Sequence, residues 1–167
     1  MKKTITILLS IMLVTLFDVA YSQKKASPPA SASGEIDGVK IKIDYHQPSA
    51  RGRDIMGDLV PYGKVWRTGA NNATKISFSE DVLIEGEELP KGTYSLFTIP
   101  GEDEWTIIFN SKTDIWGTQY DESTDVLRVT VTPEELDQFV ETFDISVDDQ
   151  VVLSWENTMV AFGIEKQ

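Results

Sequence analysis

Three of the protein's four arginines, Arg51, Arg53 and Arg67, fall within one stretch, residues 46–74, and so does its single histidine, His46. The stretch reads HQPSARGRDIMGDLVPYGKVWRTGANNAT. A guanidinium is a planar fork of donors that grips a carboxylate or phosphate through paired hydrogen bonds. Trp66 stands beside Arg67, setting a flat ring next to a cation, a combination suited to a sugar or an aromatic ligand. His46, Arg51, Arg53, Trp66, Arg67 and Asn71 are therefore the candidate ligand-binding residues, and the ligand they imply is small and either anionic or polyhydroxyl. The competing reading is structural. The chain carries 27 acidic residues, so each arginine could be paired with a carboxylate and merely stitch the segment down.

The charge balance singles out the same stretch. The whole chain of 167 residues has a formal charge of −12. Within residues 46–74 the three arginines and Lys64 outweigh Asp54 and Asp58, leaving the segment positive in an acidic protein. Such acidity argues against nucleic acid as a partner. With no cysteine, disulfides, thiolate catalysis, lipobox lipidation and zinc–thiolate sites are excluded. One histidine leaves no multi-histidine metal site, and no motif calls for a cofactor.

Other chemistry is sparser. Trp116 and Tyr120 lie among carboxylates and could form an aromatic platform for a sugar, or else cap one end of a core. Asp121-x-Ser123-x-Asp125 has alternating oxygen ligands but lacks the glycine and the closing glutamate of an EF-hand calcium loop, so no metal site is expected. No Gly-x-Ser-x-Gly elbow, His-Glu-x-x-His helix or phosphate loop is present. No catalytic residues are assigned. A glycan hydrolase built on two carboxylates is the enzymatic alternative, and an envelope structural protein without a ligand is the further one.

The elements that must position these residues are mostly strands. Residues 1–22 have the form of a secretory signal: Lys2 and Lys3, an apolar run from Ile5 to Phe17 too short to span a bilayer, and small residues before a cleavage point between Ser22 and Gln23. The implied location is secreted or periplasmic, with no membrane span after cleavage and no lipid anchor. Residues 23–34, rich in Ser, Ala and Pro, read as a flexible linker. From residue 35 to 167 the apolar residues alternate, as in Val39-x-Ile41-x-Ile43 and Phe143-x-Ile145-x-Val147. About nine strands are expected: 39–45, 74–79, 82–85, 92–99, 104–110, 124–132, 139–147, 150–156 and 158–165. Residues 93–99 and 105–109 are apolar on both faces, as in central strands covered on both sides. Thr132-Pro133-Glu134-Glu135 has helix-start chemistry, and Ile55–Leu59 could form a helical turn. In Leu89-Pro-Lys-Gly-Thr-Tyr94 the tyrosine is expected to pack inward with its hydroxyl on a backbone group. The fold class is all-β, a single sandwich or small barrel of mostly antiparallel strands with one long ordered loop.

Several segments together carry a resemblance. They are Pro48-Ser-Ala-Arg51, Val60-Pro-Tyr-Gly63, Val65-Trp-Arg67, Gly69-Ala-Asn71, Leu89-Pro-Lys-Gly-Thr-Tyr-Ser-Leu-Phe-Thr-Ile-Pro100, Glu104-Trp-Thr-Ile-Ile-Phe-Asn110, Trp116-Gly117 and Asp125-Val-Leu-Arg-Val129. The chain resembles the domain of unknown function 2911 family over nearly all of residues 36–165. The resemblance implies an exported bacterial protein with a β-rich domain and brings no established activity and no catalytic residues. Family members often carry Glu where Asn72 stands, so no role is placed on Asn72.

Overall fold

The computed structural model describes residues 27–167. The expected signal segment and the start of the expected linker lie outside them. Eleven strands are present: β1 (Pro29–Ile36), β2 (Val39–His46), β3 (Thr74–Phe78), β4 (Val82–Ile84), β5 (Glu87–Leu89), β6 (Gly92–Ile99), β7 (Trp105–Asn110), β8 (Asp125–Val131), β9 (Glu134–Val147), β10 (Val151–Phe162) and β11 (Ile164–Lys166). The only helical element among the described residues is a single 3-10 turn, Glu122–Thr124. None of their helices is long and apolar enough to cross a membrane.

One layer is a six-stranded antiparallel sheet in the order β1-β2-β3-β6-β7-β8. The long β9–β10 hairpin and the small β11-β4-β5 sheet form the rest. The sheets stay open rather than closing into a barrel, so the architecture is a β-sandwich. Period-two alternation supplies the interface: Val39, Ile41, Ile43 and Tyr45 of β2 point inward to meet Phe143, Ile145, Leu153 and Trp155 from the hairpin. Strands β6 and β7 are buried on both faces, as their sequences imply. Their second face carries a small separate cluster, Ala73, Phe97 and Ile108, covered by Ile99, Ile115 and Tyr120. Tyr94 behaves as expected, packing against Phe78 and Phe109 while its hydroxyl donates to the Pro90 carbonyl at 2.6 Å.

Four expectations need correction. Residues 29–34 are not linker: they form most of β1, paired with β2 residue for residue from Pro29 opposite His46 to Ile36 opposite Val39. Small residues are needed there because β9 comes close. A Cβ on Gly34 would fall 2.5 Å from the Val147 carbonyl oxygen. The run of Ala, Ser and Gly is thus a close-packed edge strand that lacks bulky side chains.

The helix start at Thr132–Glu135 does not form; β9 begins at Glu134 instead. Ladder hydrogen bonds to β10, with Thr158 opposite Glu135 and Met159 opposite Glu134, override the local capping chemistry. The two strands expected either side of Glu156-Asn157 are one strand, β10. Its turn residues make a bulge, with register shifts on both sides of Glu156 and a left-handed φ of 53° there. Finally, 55–59 is a compact turn and not a helical one. It is closed by the Val60 N–H donating to the Ile55 carbonyl at 2.9 Å and the Gly57 N–H donating to the Val60 carbonyl at 3.0 Å.

Candidate functional site

The chain between β2 and β3 carries no strand of its own, yet it is tied to both layers. On the hairpin side, the Ala50 N–H donates to the Glu141 carbonyl at 2.8 Å and the Phe143 N–H to the Pro48 carbonyl at 2.9 Å. The two carboxylate oxygens of Glu156, presented by the β10 bulge, accept from the N–H groups of Ile55 (3.0 Å) and Met56 (3.1 Å). On the other side, Trp66 exchanges backbone hydrogen bonds with Thr98 of β6 at 2.7 and 2.9 Å. The Gly117 N–H donates to the Asn71 carbonyl at 3.0 Å. Ala50, Ile55, Val60, Thr68 and Ala73 are buried as apolar or neutral anchors. The segment therefore straps the two layers together.

The strap is also conformationally costly. Arg51, Thr68 and Asn71 all take left-handed backbone angles, with φ of 55°, 52° and 60°. For β-branched Thr68 this is a true outlier. It is held because its carbonyl accepts from the Thr74 hydroxyl and its own hydroxyl donates to Thr98 Oγ1 at 3.2 Å. At the centre lies Trp66, half-buried. It stacks on Trp155 with centroids 5.8 Å apart and meets Phe143 (5.0 Å) and Trp105 (6.3 Å) edge-on. Its indole N–H donates to the Gly69 carbonyl at 3.2 Å.

Above this aromatic floor the strap leaves an open hollow of about 350 Å³. Arg51, Arg53, Trp66, Arg67 and Asn71 all line it. Arg53 is exposed and is aimed by the backbone: its Nε donates to the Ala50 carbonyl at 2.9 Å and its Nη2 to the Ser49 carbonyl at 2.8 Å. Arg67 donates to the Asn71 carbonyl at 3.5 Å. Among the described residues neither Arg53 nor Arg67 is in an ion pair with a carboxylate. Arg128, outside the strap, is so paired: it reaches Asp125 at 2.7 Å and Glu122 at 3.0 Å. Arg51 is tied through its main chain, whose N–H donates to Glu141 Oε1 at 2.8 Å. A second hollow, also about 350 Å³, shares Leu59, Val60, Trp66 and Arg67 with the first and adds Lys64, Thr118 and Tyr120.

Five of the six candidate residues thus come together around one concavity. His46 is the exception. It ends β2 opposite Pro29, half-buried, and is not part of the lining. Trp116 and Tyr120 part company: Tyr120 lines the second hollow, whereas Trp116 is half exposed outside that lining. Tyr120 also caps the small outer core, edge-on to Phe97 at 4.9 Å. Its hydroxyl donates to Asp125 at 2.6 Å and accepts from Arg128 Nη2 at 2.6 Å. Burial, reinforced by the Asp125 carboxylate and opposed by Arg128, pushes this phenol up to about 12. The oxygens of the Asp121-x-Ser123-x-Asp125 run are turned to protein donors. Asp121 takes Lys112 and Ser123, and a lysine at 2.6 Å holds its carboxyl down at about 2. Asp125 takes Asn110, Tyr120 and Arg128.

Sequence reasoning missed Gly117 and Trp155. Trp155 has the alternation of an ordinary core strand residue, and only the third dimension brings it under the strap. Gly117 is buried, and a Cβ there would fall 2.4 Å from Arg67 Cδ. A lone glycine after a tryptophan carries no local signal of that contact.

Residues 27–164 match a family profile described as Protein of unknown function (DUF2911). The chain belongs to that family. The matched span holds every lining residue of both hollows, so the strap and its arginines lie within the family domain. No curated protein and no solved structure gives a match.

Proposed function

We propose that this member of the family is an exported, non-catalytic binding protein that captures a small anionic ligand in the arginine-lined hollow. The single observation that carries the reading is the convergence of Arg51, Arg53 and Arg67 on one open concavity of about 350 Å³. Arg53 and Arg67 are oriented there by backbone carbonyls while forming no ion pair among the described residues. A cation aimed by carbonyls keeps its charge available, and each charge-assisted hydrogen bond to a bound anion is worth about 1.5–3 kcal/mol. Small ligand sites typically occupy roughly 300–1,000 Å³. Export rests on the signal-like residues 1–22.

A thermal-shift and calorimetric screen with inorganic phosphate, simple carboxylates and sugar acids tests the reading. Binding that weakens as salt screens the charges, and that is lost in Arg53→Gln without loss of folding, is the expected result. If none of these anions binds at low ionic strength, the reading is wrong.

The hydrolase alternative looks to a different place. No Asp or Glu lines either hollow among the described residues. Glu102, Glu134 and Glu135 instead gather around a third hollow of about 310 Å³ beside Trp105 and Tyr62. Glycan turnover that is abolished by replacing one of these three, and untouched by Arg53→Gln, would favour that alternative.

A further inference from the structure

The two hollows on either side of Arg67 repeat one set of parts. The first offers a cation in Arg53, a hydroxyl in Ser49 and the half-buried ring of Trp66. The second offers Lys64, Thr118 and Tyr120, again with Trp66. Their volumes are alike, each about 350 Å³. Arg67 belongs to both. Its stem lies over Gly117 on the side of the second hollow, and its guanidinium reaches the Asn71 carbonyl on the side of the first.

A lone phosphate or carboxylate would use only one set. A chain that repeats an acid group, hydroxyls and a carbon-rich ring face would use both. We infer that the cleft takes an acidic oligosaccharide, two consecutive sugar-acid units, one in each hollow, with Arg67 at the junction between them. This rests on the anion-binding reading above and extends it. The carboxylates would meet Arg53 and Lys64, and the ring faces would lie on Trp66 and Tyr120. An acidic peptide is the less fitting occupant. Peptide capture by strand addition needs an unpaired sheet edge, whereas the backbone at the floor of this cleft is already bonded, as where Trp66 pairs with Thr98, and a peptide of acidic residues has no ring face to lay on Trp66 and Tyr120.

The test is calorimetric titration of the purified protein, at low ionic strength, with galacturonic and mannuronic acids as monomers and dimers. Cellobiose serves as the neutral dimer and Glu-Glu as the acidic dipeptide. Because the second unit binds as a tethered neighbour, at least one uronate dimer should bind roughly tenfold more tightly than its monomer. Cellobiose should not bind measurably. Lys64→Gln, and Thr118→Trp which fills the second hollow, should reduce the dimer to roughly the monomer's affinity. Arg53→Gln should weaken both. Dimers that bind no better than monomers, or a dipeptide that binds more tightly than any uronate, would overturn the two-unit inference. If monomer binding is still lost in Arg53→Gln, the anion site itself survives that result. If no uronate and no phosphate binds at all, both readings fall together.

Discussion

Arg67 occupies the space where a side chain on Gly117 would be. A Cβ at position 117 would lie 2.4 Å from Arg67 Cδ, 2.7 Å from Arg67 Cβ and 2.8 Å from the Asn71 carbonyl oxygen. The guanidinium that joins the two hollows is therefore steered from beneath by a residue with no functional group of its own, and that dependence can be tested.

Gly117→Ala should push the Arg67 stem off its seat and strain the backbone contact with Asn71. Overpacking of this kind costs about 1–3 kcal/mol, small enough for the sandwich to stay folded. Anion binding should fall together with stability. Urea unfolding alongside calorimetry checks this, and an alanine variant with wild-type affinity would show that Arg67 does not need the seat.

Glu156→Ala should release the 54–60 turn while the core stays folded. Both carboxylate oxygens hold N–H groups of that turn, and hydrogen bonds to a charged group are worth about 1.5–3 kcal/mol each. Partial exposure of Glu156 places the total at the low end. Faster limited proteolysis within residues 51–59, with only a modest fall in the unfolding midpoint, is the expected pattern.

Trp66→Ala should be the most damaging single change in the strap. The ring touches Trp105, Phe143 and Trp155, and removing a large aromatic costs about 3–5 kcal/mol. Because Trp66 is only half-buried, a loss near about 3 kcal/mol by denaturant titration is expected. Trp66 is for that reason a poor probe of ligand contact, and Arg53 and Lys64 are better ones.

The Tyr120 phenol makes the fold sensitive to alkali. In the native state it holds its proton up to about 12 against an ordinary 10.0. Below pH 10 its contribution to stability is complete. As pH rises from 10 through 12 the unfolded chain has already released this proton, so unfolding is increasingly favoured. Tyr120→Phe should flatten that limb of the stability profile and cost about 1 kcal/mol at neutral pH through lost hydrogen bonds. Some alkaline sensitivity should remain, since burial also raises Tyr45 and Tyr94.

Much of this is legible in the sequence alone. Alternation in β2, β9 and β10 defines the inward faces, because a half-buried strand must put every second side chain in the core. Arg51, Arg53 and Arg67 stand out against an acidic background and do meet. The errors share a physical origin in contacts made by distant residues. Ala30, Ala32 and Gly34 look like linker until the two alanines are seen packed on the core and β9 pressing on Gly34. Glu156-Asn157 looks like a turn until the ladder from Glu134 and Glu135 carries β10 through it as a bulge. Pro133 and Glu134 look like a helix start because local chemistry cannot register a strand partner more than twenty residues away. His46 stands near the arginines in sequence, yet at the end of β2 it lies outside the lining of their hollow.

Ser27, just before β1, is itself part of the first hollow's lining. The Pro28 carbonyl, accepting from the Gln47 N–H at 2.9 Å, fixes this stretch beside the base of the strap. A bulky or negatively charged group introduced at Ser27 would therefore stand at the first hollow, where it could compete with the ligand. Gln167, by contrast, follows β11, which pairs with β4, and its N–H donates to the Asp81 carbonyl; none of those residues lines either hollow. Tags for binding work, and tethers for immobilising the protein on a sensor surface, belong at Gln167.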